Sequence, residues 1–218
     1  MLGGGIPEKN IIAVLGGYGS GKTILGMQFI NRGLEEGERG VFISFDEDED
    51  KLIRIASNIG WDFGSAIKDR MLVLIRLDAA DIGRSLTRAQ SELPTLIETF
   101  DAKRIVIDPI TLFEMHFRDD ESRRREISKL CTIIQASGAT TMLTSEISTD
   151  NPFASKYGEI EYIADGVIIF QHIRPAPLKR SILAVEIAKM RGVKHARDVK
   201  PYDITDKGIV VDFDADLF

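Results

Sequence analysis

The residues best suited to chemistry stand together, Gly16-Gly17-Tyr18-Gly19-Ser20-Gly21-Lys22-Thr23, directly after the apolar run Ile11-Ile12-Ala13-Val14-Leu15. They fit the pattern G-x-x-x-x-G-K-[ST], a backbone loop that wraps a phosphate chain. Gly17, Gly19 and Gly21 let the chain curl until successive N–H groups point at one anion, an approach that Cβ atoms would block. A helix opening at Gly21 adds the positive end of its dipole to the same phosphates. Lys22 reaches the terminal phosphates as a point charge, and the Thr23 hydroxyl is placed to hold a Mg²⁺ that bridges them. ATP or ADP with Mg²⁺ is therefore the expected occupant, contacted by Gly17, Tyr18, Gly19, Ser20, Gly21, Lys22, Thr23 and Ile24.

Two further groups of acids bear on the same chemistry. The run Arg104-Ile105-Val106-Ile107-Asp108 reads as a buried strand ending in a carboxylate. Beside a phosphate loop such an acid orients Mg²⁺ or its water shell, so Thr23 and Asp108 are the expected metal site. The run Val41-Phe42-Ile43-Ser44-Phe45 ends in five acids, Asp46-Glu47-Asp48-Glu49-Asp50. Glu49 and Asp50 fall in the first turn of the next helix, where the dipole favours them and they simply face water. Asp46 and Glu47 lie at the carboxyl end of a strand, where ligands bind in open α/β sheets. Glu47, with the longer reach, is the expected base that polarises a water for attack on the γ-phosphate; Asp46 and Lys22 complete the catalytic set.

These groups need a scaffold that brings strand ends together. Apolar strand-like runs recur at 11–15, 41–45, 71–75, 104–107 and 140–144, with helical stretches at 22–36, 49–59, 84–100 and 121–137 between them. Such alternation implies a parallel sheet covered by helices on both faces. Gly37, Gly60 and Gly138 follow three of the helical stretches as left-handed caps would, and Pro94 marks a break or a second start inside the fourth. After residue 165 three strand-like stretches, 166–171, 181–188 and 209–213, have no long helix between them. They read as an antiparallel extension of the sheet. The 218 residues contain no repeat, low-complexity tract or linker, so a single domain over 1–218 is expected.

Composition narrows the class. A formal net charge of −6 speaks against a broad nucleic-acid footprint. No apolar stretch matches a membrane span and the N-terminus lacks a leader pattern, so membrane insertion is not expected and the location is read as cytoplasmic. The single cysteine, Cys131, shares helical spacing with Ile127, Leu130 and Ile134 and reads as core. His116 and His172 have no partner pattern and are not read as metal ligands.

The chain resembles the KaiC-like branch of the RecA-type ATPases. The resemblance is carried by Gly3-Gly4-Gly5-Ile6-Pro7-Glu8-Lys9-Asn10, by Gly40 to Glu47, by Gly60-Trp61-Asp62, by the Ile107-Asp108 strand end, and by Lys189-Met190-Arg191-Gly192 with His195. It implies a RecA-like core that binds ATP between neighbouring subunits, commonly in a hexameric ring of identical chains. By that implication Lys189, Arg191 and His195 reach the γ-phosphate of the adjacent subunit, as arginine fingers do. From the residues alone, two cations two apart on an extended chain share a face, and a solvated basic turn remains the alternative. The resemblance also puts Ser145 and Glu146, after the run 140–144, where RecA-type cores sense the γ-phosphate; a solvated connection is the plain reading of that loop.

Three departures from the family pattern matter. Two adjacent glutamates after the second strand are usual, and Asp46-Glu47 stands there. The adjacent Ser and Thr that become phosphorylated in the clock proteins are replaced by Glu161 and Tyr162, so autokinase activity is not expected. The family usually carries a short segment before the Gly3 to Pro7 turn, whereas Met1-Leu2 alone precede it, so the expectation is either a ring that lacks one inter-subunit contact or a sequence that has been trimmed. The leading function is a slow Mg²⁺-dependent ATPase whose nucleotide state controls assembly and binding of a regulatory protein partner. A nucleotide-gated scaffold like the regulatory protein of the archaeal swimming motor is the first alternative. A recombinase-like DNA binder resting on Arg118, Arg123, Arg124 and Arg125 is the second, weakened by the interleaved Asp119, Asp120, Glu121 and Glu126.

Overall fold

The runs 11–15, 41–43 and 105–107 consist of Ile, Val, Leu, Ala and Phe with no polar face, the composition of a strand covered on both sides, whereas 140–145 is Thr-Thr-Met-Leu-Thr-Ser. The computed structural model describes residues 1–77, 94–174 and 181–215. Its strands are β1 (Ile11–Gly16), β2 (Gly40–Ser44), β3 (Leu72–Arg76), β4 (Arg104–Asp108), β5 (Thr140–Ser145), β6 (Gly166–Ile173), β7 (Ile182–Met190), β8 (Lys200–Thr205) and β9 (Gly208–Val211). They form one sheet in the order β3-β2-β4-β5-β1-β6-β7-β8-β9. From β3 to β6 every pairing is parallel, and from β7 onward every pairing is antiparallel.

The helices are α1 (Lys22–Glu35), α2 (Glu49–Asn58), α3 (Phe63–Lys68), α4 (Ile110–Glu114), α5 (Asp120–Ser137) and α6 (Ile160–Ile163), and residues 94–100 are also helical. Side chains alternate across a strand, so β1 sends Ile11, Ala13 and Leu15 to one face and Ile12 and Val14 to the other. The first set packs with Phe113, Ile127, Ile134 and Ile160 of α4, α5 and α6; the second packs with Met27 and Ile30 of α1 and with Leu52, Phe63, Tyr202 and Ile209. Asp48, Asp62 and Asp119 cap α2, α3 and α5, each side chain accepting from the backbone N–H three residues on, at 2.8, 2.9 and 2.7 Å.

An α/β fold with a mostly parallel sheet and an antiparallel C-terminal part is thus as expected, and Gly37, Gly60 and Gly138 all adopt positive φ at helix ends. Three details differ. β6 is the last parallel strand, hydrogen-bonded to β1, so the antiparallel part starts one strand later. β8 has no counterpart among the expected strands, because Lys200, Pro201 and Asp203 hide its pattern; it pairs with β9, which ends at Val211. The helices α3, α4 and α6 are too short to show a period. Of the expected helix 84–100, residues 84–93 lie outside the described residues, and residues 94–100 are helical.

Candidate nucleotide-binding site

The loop after β1 has the conformation that a bound anion needs. Gly19 and Gly21 stand at φ 69° and 86°, where only glycine turns without strain. The backbone N–H groups of Tyr18, Gly19, Gly21, Lys22 and Thr23 donate to none of the described residues, so they are available to one ligand at the loop's mouth. Ser20 is buried, with its hydroxyl donating to the Gly17 carbonyl at 2.8 Å. Lys22 donates to the carbonyls of Gly16 at 2.8 Å and Gly17 at 2.9 Å, folded across the concavity. Burial pulls its pKa down, opposed by the charges of Asp108 and Glu146. Ile24 follows in the first turn of α1, and the Tyr18 ring projects from the tip almost fully exposed, at 97%.

Asp108 closes the cradle from β4. Its carboxylate is buried and accepts from the Thr23 hydroxyl at 2.8 Å through one oxygen and from the Thr144 hydroxyl through the other. Burial raises its pKa; the two hydroxyls and Lys22 work against that rise, and Asp46 adds to it. Thr23 and Asp108 present hard oxygen donors side by side, the donor set suited to Mg²⁺, so the residues fit the metal expected of them. Thr144 was not among the expected site residues. It is the residue of β5 that reaches the Asp108 side of the sheet, and only strand order reveals that.

Asp46 and Glu47 come to the same end of the sheet but not beside the loop: β5 and β4 intervene between β1 and β2. Their neighbour is Asp108, which pairs with Ser44. The Ser44 hydroxyl accepts from the N–H of Glu47 at 2.8 Å and of Asp46 at 3.3 Å, fixing the turn that lifts both acids off the strand. The Glu47 carboxylate forms an ion pair with Lys51 one helical turn on. Ser145 and Glu146 also arrive at this end. Ser145 is buried with its hydroxyl 3.1 Å from that of Thr111, and the Thr111 hydroxyl accepts from the Glu146 N–H at 2.9 Å. The Glu146 carboxylate pairs with Lys156 at 2.9 Å and lies near enough to Lys22 to act on its charge.

Lys189, Arg191 and His195 are elsewhere. Met190 pairs with Gly166, which pairs with Ile12, so these cations gather where β1 begins, whereas the phosphate loop follows its end. Lys189 donates to the carbonyls of Glu161 at 2.9 Å and Ala164 at 2.6 Å. Burial and then the neighbouring Arg191 charge lower its pKa. Arg191 donates to Asp165 at 3.3 Å and to the Tyr162 carbonyl at 3.1 Å, and the His195 ring lies 3.0 Å from the Ala196 carbonyl. Within one chain they do not meet the loop. Of the basic cluster, Arg123 is buried, whereas Arg118, Arg124 and Arg125 are exposed, with Arg124 facing Glu159 at 3.8 Å and Arg125 facing Glu126 at 3.3 Å.

Known proteins share this architecture. The family model described as ATPase: KaiC matches residues 1–216. The chain belongs to the KaiC family of ATPases. A UPF0273 protein of Pyrococcus horikoshii is 31% identical over 225 residues, spanning 97% of this chain and 89% of its own. The circadian clock oscillator protein KaiC of Synechococcus elongatus is 30% identical over 213 residues, which cover 94% of this chain and 41% of the clock protein. In three dimensions the chain is similar to a crystal structure of a KaiC-like protein from the hyperthermophilic archaeon Pyrococcus horikoshii, with a TM-score of 0.81 and 33% identity over 96% of this chain and 92% of that one. Among the described residues, no helix of this KaiC-family protein is long and apolar enough to cross a membrane.

The β8–β9 hairpin is the part of the site that the sequence reading missed. The Tyr202 hydroxyl donates to the Ser20 carbonyl inside the phosphate loop, and Gln28 of α1 bonds both the N–H and the carbonyl of Ile209, at 2.8 and 3.2 Å. A Cβ on Gly21 would meet Ile204 Cδ1 at 2.9 Å, so the hairpin abuts the loop itself. Asp206-Lys207-Gly208 directly before the apolar run Ile209-Val210-Val211 was the available signal, a turn that closes a hairpin.

Proposed function

We propose that this chain is a slow Mg²⁺-dependent ATPase whose site is completed by a second copy of itself, and whose nucleotide state governs assembly and the binding of a protein partner. One observation carries the reading: the phosphate loop and the Lys189, Arg191 and His195 cluster occupy opposite ends of the same sheet. A head-to-tail contact between copies brings one end to the other, the geometry of a ring. In such a contact the loop amides and Lys22 hold the triphosphate, and Glu47 takes a proton from the water that attacks the γ-phosphorus in line. The neighbour's Lys189 and Arg191 meet the charge that develops on the leaving oxygens. Mg²⁺, held by Thr23 and Asp108, supplies further neutralisation of that charge when bound.

The ion pair between Lys51 and Glu47 supports slow turnover, because the carboxylate has to turn away from Lys51 before it can face an attacking water. The same pair favours a second reading, a nucleotide-gated scaffold in which hydrolysis is incidental. Steady-state phosphate release by Glu47→Gln separates them from any reading without Glu47: a loss of about 10² to 10³ in kcat supports it as base, and an unchanged rate removes it. Light scattering without nucleotide, with ADP and with MgATP then reads assembly. A size that follows ATP binding in Glu47→Gln as in the parent points to the scaffold.

A further inference from the structure

Glu114, the last residue of α4, has no role in the site described above, yet its burial is complete, at 0% exposed. Neither carboxyl oxygen has a hydrogen-bond partner among the described residues. A carboxylate so placed carries the full cost of desolvation, whereas the neutral acid carries far less. Its surroundings add to that cost. Glu161 of α6 and Glu159 just before it act on Glu114 as like charges. Lys156 from the same segment and Arg123 from α5 oppose them, and Cys131 of α5 is the remaining titratable neighbour. Arg123 has little left to give. Its Nε donates to the Glu114 carbonyl at 3.3 Å, one terminal nitrogen to Asp120 at 2.6 Å and the other to the Phe117 carbonyl at 3.1 Å, with the guanidinium 4.0 Å over the Tyr157 ring.

The segment that carries Lys156, Glu159 and Glu161 is also the one that holds the cations. Glu161 accepts from the N–H of Ser155 at 3.1 Å and from its hydroxyl, which locks the segment's start to its end. The carbonyls of Glu161, Tyr162 and Ala164 then fix Lys189 and Arg191. Whatever lifts residues 155–165 from α4 therefore frees both cations from their anchors.

We propose that Glu114 is a positioning residue for Lys189 and Arg191: as a neutral acid it lets the segment 155–165 close over α4, and its ionisation releases the segment and the two cations with it. The consequence for hydrolysis rests on the reading in which those cations serve a neighbour's site; the closure itself does not. The sign follows from burial, which pushes the Glu114 pKa from its ordinary 4.5 to about 8 in the closed form. The open form ionises near 4.5, so opening grows as pH rises from there and levels off above 8.

Hydrogen exchange of the 155–165 amides in the parent, corrected for intrinsic rates, tests the closure between pH 5 and 9. Protection is expected to fall by about tenfold or more up to pH 8 and then to flatten, while in Glu114→Gln, which cannot ionise, it stays level. Flat protection in the parent overturns the proposal even if the variant does not fold, and so does a Glu114→Gln profile that tracks the parent. A second arm compares kcat of the assembled proteins with MgATP. Glu114→Gln is expected to match the parent at pH 5.5 and to exceed it several-fold at pH 8. Equal profiles, with Lys189→Ala shown to lower kcat, overturn the positioning role. Equal profiles with Lys189→Ala also unchanged, while exchange behaves as expected, sink the trans reading and leave the proton-controlled closure standing.

Discussion

Asp108 shows how one side chain carries two demands at the residue scale. It is buried against Thr144 and Thr23 as a structural acceptor, and in the proposed function the same carboxylate is a metal donor. Replacement by Asn keeps the size and one accepting oxygen, requires the other threonine hydroxyl to turn and accept from the amide NH2, and removes the charge that attracts a divalent cation. Asp108→Asn is expected to bind ATP alone as the parent does, to lose most of the gain in affinity that Mg²⁺ gives, and to hydrolyse about 10² to 10³-fold more slowly. Calorimetric titration with and without Mg²⁺, beside phosphate release, checks all three; undiminished Mg²⁺-dependent turnover would remove Asp108 from the metal site. Loop, Lys22, Thr23 and Asp108 were legible in the sequence because each rests on a local pattern that one kind of ligand explains. Thr144 and Thr111 were not, since a threonine at a strand end or in a short helix says nothing until strand order places it beside an acid.

At the scale of elements, the phosphate loop is braced by the β8–β9 hairpin. Tyr202→Phe deletes the hydroxyl bonded to the Ser20 carbonyl and leaves the ring, which lies 4.7 Å from that of Phe170, in place. A loss of roughly 0.5 to 1.5 kcal/mol in unfolding by urea is expected, with weaker ATP binding because the loop is less firmly pre-shaped. A change in stability without any in affinity would confine the hairpin to a structural role. Glu114 belongs to this scale too, through the pairing of α4 with the segment before α6. Its raised pKa means that the folded protein keeps a proton the unfolded chain has lost, so stability falls as pH climbs from 4.5 to about 8. Glu114→Gln removes that dependence and is expected to unfold about 2 to 3 kcal/mol later than the parent at pH 7 but no later near pH 4. Thermal melts at both pH values read the difference, and an equal offset at the two would show a cause other than ionisation. Strands with unbroken apolar runs were readable from composition alone. The hairpin and α4 were not, because Lys200-Pro201 and Asp203 mask one strand of the hairpin, and five residues of helix carry no periodicity.

The two ends of the sheet set the question for the whole molecule. Cations at the start of β1 and a phosphate loop after its end give the chain a direction, and a contact that joins unlike ends repeats from copy to copy, as a ring where the rotation closes and as a filament where it does not. If each site takes Glu47 from one copy and Arg191 from the next, damage to either residue silences a homogeneous assembly, yet a mixed one regains intact sites. An interface formed by a loop-bearing Arg191→Ala subunit and a cation-bearing Glu47→Gln subunit has both groups intact. Random mixing in equal amounts makes about a quarter of the interfaces of that kind, so about a quarter of parental ATP turnover should return although neither variant alone is active. The recovered rate should peak near equal mixing and vanish when subunit exchange is blocked by cross-linking each variant beforehand. Mixed assemblies, verified by differently tagged subunits, that remain as inactive as their parents would place Arg191 and Glu47 in the same copy's site or outside it. The direction read from the sheet would then describe a surface rather than an active site.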